Sequence, residues 1–393
     1  MSSTVMPGLS QPLSSGEFVV GDLERLEEIE RKQRRVAEFL EENGFDGLLL
    51  QRPGNFAWFT AGTESTRGES TEPIAALFIT RDARVIITSN TDTAQLFERE
   101  LPGLGFQLKE RPWHEPRQTL VEDICRGRFV AGDTGAAGAT DVDERLRGFR
   151  LPLSAYECGR MRELGPLVAH AVEATARNCA AGSSETEIAG EVAHRLMRHQ
   201  VIPERIQVWA DGRAGRYPHA RFGTQCVNRY GTILAVGRRW GLHAGACRTF
   251  SFGTPPDELR DAHSHATLAQ SSGMYFSQTE WELGEVWERV QRIYEKFGRS
   301  DEWQKADQGE LIGYEAVEVP LVPNSTYRLE KQMPLFWHPL VASAPVGDTI
   351  LIGAGRFEVL TVMQDWPRFH VEVKKTRFER PGILERTTGE RPA

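Results

Sequence analysis

Residues 233–253 read ILAVGRRWGLHAGACRTFSFG. Apolar runs stand on either side of a Gly-containing turn, which predicts two short strands joined as a ribbon. Near the end of the ribbon stand Arg248 and Thr249, followed by the apolar Phe250. No Asp or Glu occurs anywhere between Gly212 and Pro256. The ribbon therefore offers no carboxylate to a hard metal ion.

Two helices are expected ahead of the ribbon. In residues 158–182, Met161, Leu164, Val168, Val172 and Cys179 fall on roughly one helical face, and Gly182 ends the run. Ser184 with Glu187 three positions later is a capping-box signature for a second helix over 183–200. RIQVWA, GTILAVG and CRTFSFG follow as strands, then a helical stretch at roughly 257–297, then GELIGYEAVEVP, MPLFWHPLV, DTILIGAG and FEVLTVM. Helices then strands, twice over, predict an α+β unit with internal pseudo-twofold duplication around a curved sheet, spanning 156–393. The N-terminal half, 22–155, alternates differently. Asp22 and Gly44 bracket a helix whose apolar residues include Leu23, Leu26, Ile29, Val36, Phe39 and Leu40. DGLLLQ, IAALFIT, RVIIT and RFVAGD then read as strands of an α/β domain. Residues 1–21 are expected to be a flexible arm.

Composition narrows the function. The 393 residues carry a net charge of −8, so there is no basic surplus for neutralising phosphates and nucleic acid is disfavoured as a partner. The 5 cysteines are widely spaced with no CxxC pair, which fits a reducing cytoplasm and no zinc knuckle. The N-terminal stretch lacks the basic and apolar regions of a signal peptide. No apolar run approaches the ~20 residues of a membrane span.

The order of these segments resembles the creatinase, Xaa-Pro peptidase (prolidase, aminopeptidase P) and methionine aminopeptidase family, whose catalytic domain has the pita-bread fold. YPHARF (217–222) is similar to the segment carrying the family's first active-site histidine, and residues 233–253 to its two-Asp ribbon. GELIGYEAVEVP, MPLFWHPLV and VGDTILI resemble the segments with the remaining ligands. The resemblance implies two divalent ions held by two Asp, one His and two Glu. The matching positions here are Ala235, Gly245, Glu310, His338 and Gly347. The expectation is therefore no metal and no cofactor. Creatinase, a member that works without metal through a histidine acid/base, is the closer guide. Its guanidinium-holding glutamates are replaced by Cys247 and His338, which argues against creatine itself as substrate.

His219, Glu310 and His338 are the candidate catalytic residues: a histidine base near pKa ~6.5, and a carboxylate able to face it as an acid/base partner. Candidate substrate-binding residues are His243 and Cys247 on the ribbon, Arg248 as an anion holder, Tyr314 and Glu315 in GYEA, and Arg67 in the GTESTRGES loop. Cys247 also reads as a nucleophile if its pKa is depressed, or as a small buried residue. Trp209 and Trp240 read as pocket walls or as core. The functional expectation is a metal-independent, creatinase-like enzyme that hydrolyses or eliminates across a C–N bond of a small amino-acid-like or amidine-like substrate. An Xaa-Pro-type metallopeptidase and a catalytically inactive binding homologue are the alternatives. The family resemblance further implies a homodimer whose N-terminal domain covers the partner's site.

Overall fold

The computed structural model describes residues 22–67, 70, 72–362 and 365–387. The arm expected over 1–21 lies outside the described residues. Helix α1 (Leu23–Asn43) starts where the Asp22 side chain accepts the Arg25 N–H and stops at Gly44, whose φ of 70° suits glycine. It buries Ile29, Val36, Phe39 and Leu40. Strand β1 (Gly47–Leu50) and helix α2 (Pro53–Phe59) follow. The periodicity does not foresee α2, because Gly54 through Phe59 are buried on every side and leave no polar stripe. Strands β2 (Ala75–Ile79), β3 (Arg84–Ser89) and β4 (Gln107–Arg111), helix α3 (Arg117–Cys125), strands β5 (Val130–Gly132) and β6 (Thr140–Asp141) and helix α4 (Asp143–Arg150) complete this half. Its six strands run in the order β4-β3-β2-β1-β5-β6.

Helices α5 (Ala155–Asn178) and α6 (Glu185–Met197) each begin with a full capping box, Ser154 with Glu157 and Ser184 with Glu187. Strands β7 (Ile202–Ala210), β8 (Tyr230–Arg239) and β9 (Leu242–Phe252) form a meander. The β8–β9 turn consists of Trp240 and Gly241, with φ of 54° and 74°, the pair of positive values that a tight two-residue hairpin turn needs. Trp240 holds this unusual conformation with Arg239 and Arg160 over its ring, at 4.1 and 4.7 Å from the centroid.

The single helical stretch expected over 257–297 is two helices, α7 (Asp257–Phe276) and α8 (Leu283–Lys296). Glu280, with a φ of 70°, lies in the break between them. Strands β10 (Gly309–Leu311), β11 (Val319–Pro320), β12 (Pro334–Trp337), β13 (Leu340–Val341), β14 (Ala344–Pro345), β15 (Gly347–Ile352), β16 (Phe357–Val359), β17 (Arg368–Val373), β18 (Thr376–Pro381) and β19 (Leu384–Arg386) follow. The large sheet runs β11-β10-β12-β15-β9-β8-β7, with β16 beside β15 and β19 beside β9. Among the described residues no helix is long and apolar enough to cross a membrane.

A buried polar seam joins the halves. Arg150 at the end of α4 pairs with Glu318 (Nη2 to Oε2 2.8 Å), and Lys32 of α1 pairs with Glu157 of α5 at 2.6 Å. Each guanidinium or ammonium has a carboxylate partner, which is the condition for burying such charges.

Candidate active site

In a sheet, residues directly opposite each other on neighbouring strands point to the same face. The β8–β9 register pairs Leu234 with Cys247, Ala235 with Ala246 and Val236 with Gly245. One face of the ribbon therefore carries Leu234, Val236, Gly245 and Cys247. Ala235 points the other way, into the main core with Ala244 and Ala246. This corrects the match of Ala235 to the family's first aspartate: a ligand acting with Gly245 would have to stand at Leu234 or Val236.

The same face continues across the neighbouring strands. Glu310 pairs with Phe336, and Phe336 with Thr349. His338 follows two residues after Phe336 and so keeps to its side. A Cβ added to Gly245 would lie 2.6 Å from the tip of the Phe336 ring, and one added to Gly347 would lie 2.8 Å from the Cys247 Cβ and 3.2 Å from the same ring. Phe336 is fully buried and clusters with Leu234, Val236, Cys247, Trp209 and Leu340. The residues present do not fit a pair of divalent ions: three of the matched positions lack donors, and an aromatic ring fills the space above two of them.

Polar chemistry gathers at the edge of this apolar plug. His338 Nε2 lies 2.5 Å from Glu310 Oε2 and 3.7 Å from Asp307 Oδ2. Glu310 Oε1 accepts from Arg205 Nη2 at 3.1 Å. His219, in the loop between β7 and β8, reaches Asp307 Oδ1 at 3.5 Å with most of its side chain exposed. Glu310 and His338 are buried, and the His338 N–H donates to the Gln308 carbonyl at 2.9 Å, tying the segments that carry them. A cavity of about 20 Å³ is lined by Arg205, Trp209, His219, Asp307 and His338. An open groove of about 880 Å³, bordered by Arg205, Gln207, His219, Arg221, Phe222 and Val317, leads to it.

His219, Glu310 and His338 are thus brought together, and Asp307 and Arg205 join them unforeseen. Arg205 had a legible signal: strand alternation puts Arg205, Gln207 and Trp209 on one face of RIQVWA. Asp307 stands three positions before Glu310 in an irregular approach to β10, where no period announces a shared face.

The other candidates lie elsewhere. His243 is buried; its Nδ1 and its backbone N–H both meet the Gly313 carbonyl at 2.9 Å, and burial pulls its pKa down to about 4. Cys247 is buried against Phe336, and desolvation raises its pKa, so it is a poor nucleophile. Arg248 is buried and held by Glu173 at 3.0 Å, Asp348 at 2.9 Å and the carbonyls of Cys247, Gly347 and Thr361, so its charge is met inside the fold rather than offered to an anion. Tyr314 donates to Glu157 at 2.8 Å in the seam, where burial raises its pKa strongly. Glu315 is raised by burial and then by Glu318. Neither residue lines the groove or the cavity. Arg67 pairs with Asp92 of its own half at 2.8 Å. Trp209 lines the cavity, whereas Trp240 forms the hairpin turn.

Comparison with known proteins agrees with this architecture. The chain is similar in structure to a prolidase from Pyrococcus horikoshii OT3 (TM-score 0.73, 17% identity, 85% of this chain and 99% of that one). It is also similar to an Xaa-Pro dipeptidase from Bacillus anthracis (TM-score 0.69, 19% identity, 86% and 98%) and to a His361Ala variant of Escherichia coli aminopeptidase P (TM-score 0.66, 18% identity, 86% and 94%). No curated protein sequence matches it. These likenesses show the pita-bread fold. The profile of metallopeptidase family M24 matches residues 159–365, just over half of the chain, and the chain therefore belongs to that family of hydrolytic enzymes.

Proposed function

We propose that this M24 chain hydrolyses the C–N bond of a small, peptide-like or amino-acid-derived substrate at the Asp307–Glu310–His338 cluster. The observation that carries the reading is the buried Glu310–His338 contact, flanked by Arg205 and Asp307 at the inner end of an open groove. The neighbours named as prolidase, Xaa-Pro dipeptidase and aminopeptidase favour a peptide-like substrate, so they support the Xaa-Pro-type alternative better than the creatinase-like reading. The departure from those enzymes is the plugged cradle, and no step is routed through a pair of ions.

The chain's own groups supply the following. Glu310 and His338, in hydrogen-bond contact, form the pair that accepts a proton from an attacking water and returns it to the leaving nitrogen. Arg205 orients Glu310 from its outer oxygen and places positive charge near the oxygen on which negative charge develops. His219 and Asp307 stand at the mouth, where a substrate's polar end enters. A homodimer belongs to this reading, because the exposed Phe222 and Val317 on the groove rim would be covered by a partner's N-terminal half.

The test is hydrolysis of a panel of Xaa-Pro dipeptides, other dipeptides and amino-acid amides, followed by mass spectrometry. His338→Ala is expected to lower turnover by about 10²–10⁴-fold, the range for loss of a general acid/base. Turnover undiminished in His338→Ala and in Glu310→Gln would remove the cluster from the chemistry. Closure of the cradle by Phe336 favours a second reading, a non-catalytic binding protein. That reading predicts ligands that raise the melting temperature without being consumed.

A further inference from the structure

We infer that Gln207 is a specificity-determining residue of the groove: its Oε1 accepts an N–H from the substrate nitrogen that lies beside the acid/base pair. The inference rests on the reaction centre proposed above and names the kind of C–N bond it takes, one whose nitrogen carries hydrogen. Gln207 pairs with Leu234 in the β7–β8 register, so it stands on the same sheet face as Leu234, Val236 and Cys247. It is 5% exposed. Its Nε2 donates to the Pro218 carbonyl at 3.1 Å and to the Ala220 carbonyl at 3.3 Å, the two carbonyls that flank His219. Two residues on, Trp209 Nε1 donates to the Tyr217 carbonyl at 2.9 Å. Two side chains from one face of β7 thus hold the loop that carries His219.

These bonds decide which way the amide faces. Both hydrogens of Nε2 are used, and with the group reversed Oε1 would oppose two carbonyl oxygens with no donor between them. Oε1 accepts from no protein group among the described residues. An amide oxygen so enclosed is costly to leave unpaired, so water or a ligand N–H completes it. Gln207 borders both the open groove and the small cavity that also touches Arg205, His219, Asp307 and His338. A group in a space of about 20 Å³ meets Gln207 and His338 together. His338 belongs to the pair that returns a proton to the leaving nitrogen, so the nitrogen that meets Oε1 is the leaving one. Arg205, on the same strand face, does not take that place, because its guanidinium is turned to Glu310 at 3.1 Å. A lone acceptor discriminates by hydrogen: it binds the N–H of a primary or secondary amide and finds no partner on a tertiary one. Among peptide-like substrates the groove therefore selects bonds other than Xaa-Pro, whose nitrogen carries no hydrogen.

The experiment uses the full chain and two dipeptides that differ by one methyl group on the scissile nitrogen, Ala-Gly and Ala-sarcosine. Affinity is read by calorimetry and hydrolysis by mass spectrometry. Ala-Gly is expected to bind at least about 10-fold more tightly, with a kcat/KM higher by the same factor or more, because the methylated nitrogen leaves Oε1 without a donor. Gln207→Met keeps the length of the side chain and removes the amide, so the ratio should fall to about 1–2, whereas a preference caused by the bulk of the methyl group would persist. Gln207→Glu keeps an acceptor and removes both donors. The ratio should survive there, while amide exchange over residues 217–221 speeds up as the carboxylate repels the Pro218 and Ala220 carbonyls. Equal affinity for the two dipeptides, a ratio that persists in Gln207→Met, a ratio lost in Gln207→Glu, or no saturable binding of either dipeptide at about 10 mM would each overturn the inference. A binding preference without hydrolysis would overturn the proposed function and leave this inference standing. Hydrolysis of both dipeptides at equal rates, dependent on His338, would do the reverse.

Discussion

Phe336 occupies the space into which any side chain at Gly245 would have to grow: a Cβ there would meet the ring at 2.6–2.8 Å. The ring and the glycine therefore depend on each other. An aspartate at 245 has no room while the ring is present, and loss of the ring opens a void that a carboxylate cannot fill favourably without partners.

Gly245→Asp is accordingly expected to cost about 1–3 kcal/mol from overpacking, with desolvation of the new carboxylate added. Phe336→Ala should cost about 3–5 kcal/mol. The double variant should be less destabilised than the sum by about 1 kcal/mol or more, because each change relieves part of the other's defect. Urea denaturation of the three variants measures this. Additivity within about 0.5 kcal/mol would show that the two residues do not share that space.

Asp348 supports a second expectation. Its Oδ1 accepts from Arg248 at 2.9 Å and Thr361 at 2.7 Å, while its Oδ2 is paired with Arg380. All three charged side chains are buried. Asp348→Asn leaves both guanidinium groups short of countercharge, and removing one partner of a buried ion pair costs about 3–5 kcal/mol. A loss below about 1 kcal/mol in urea would mean that water or another carboxylate compensates.

Much of the fold was legible because its signals are local. The Ser184–Glu187 capping box, the Gly-containing turn of the ribbon and the apolar strand runs each depend on neighbours in sequence, although Trp240, read as pocket wall or core, turned out to be part of that turn. The absence of carboxylates between Gly212 and Pro256 was legible from residue types, and the family resemblance made it a loss of ligands. What replaced them was not. Phe336 reads as one apolar residue in MPLFWHPLV, and its ring reaches Gly245 only through the pairing of β12, β15 and β9. Ala235 was misplaced for a related reason: a slip of one residue in a strand reverses the face, and register is set by cross-strand contacts. Arg248 looked like an anion holder because its partners, Glu173 and Asp348, come from distant segments.

His263 supplies an expected pH response. It lies buried on α7, 6.0 Å from the Phe369 ring, and burial, with a smaller contribution from Arg248, lowers its pKa to about 4. In the unfolded chain it titrates near ~6.5. Between those values the unfolded state binds more protons, so the neutral histidine's contribution is present above pH ~6.5 and is lost as pH falls toward about 4. His263→Leu should therefore flatten the stability profile in that window, retaining on the order of 3 kcal/mol that the native chain loses between pH 7 and 4. Urea midpoints at unit steps of pH measure the difference. His243, shifted in the same direction, remains in both proteins and cancels. Parallel profiles would show that His263 is not held neutral by the fold.

The Arg150–Glu318 pair connects the seam to the groove. Glu318 Oε1 and Oε2 accept from Arg150 Nε at 2.9 and 3.0 Å, and Oε1 also accepts the Tyr314 and Glu315 N–H groups at 3.1 and 3.2 Å. This one carboxylate thus shapes the loop that carries Ala316 and Val317 to the groove wall, just beyond the strand bearing Glu310. Arg150→Met would leave Glu318 buried without its countercharge, at a cost of about 3–5 kcal/mol, and the cheapest relief is for the loop to swing Glu318 toward water. Amide exchange over residues 312–318 should then speed up markedly more than exchange in β8, and the Michaelis constant for any substrate found should rise before turnover falls. Unchanged protection of 312–318 in Arg150→Met would show that the loop keeps its shape without the seam.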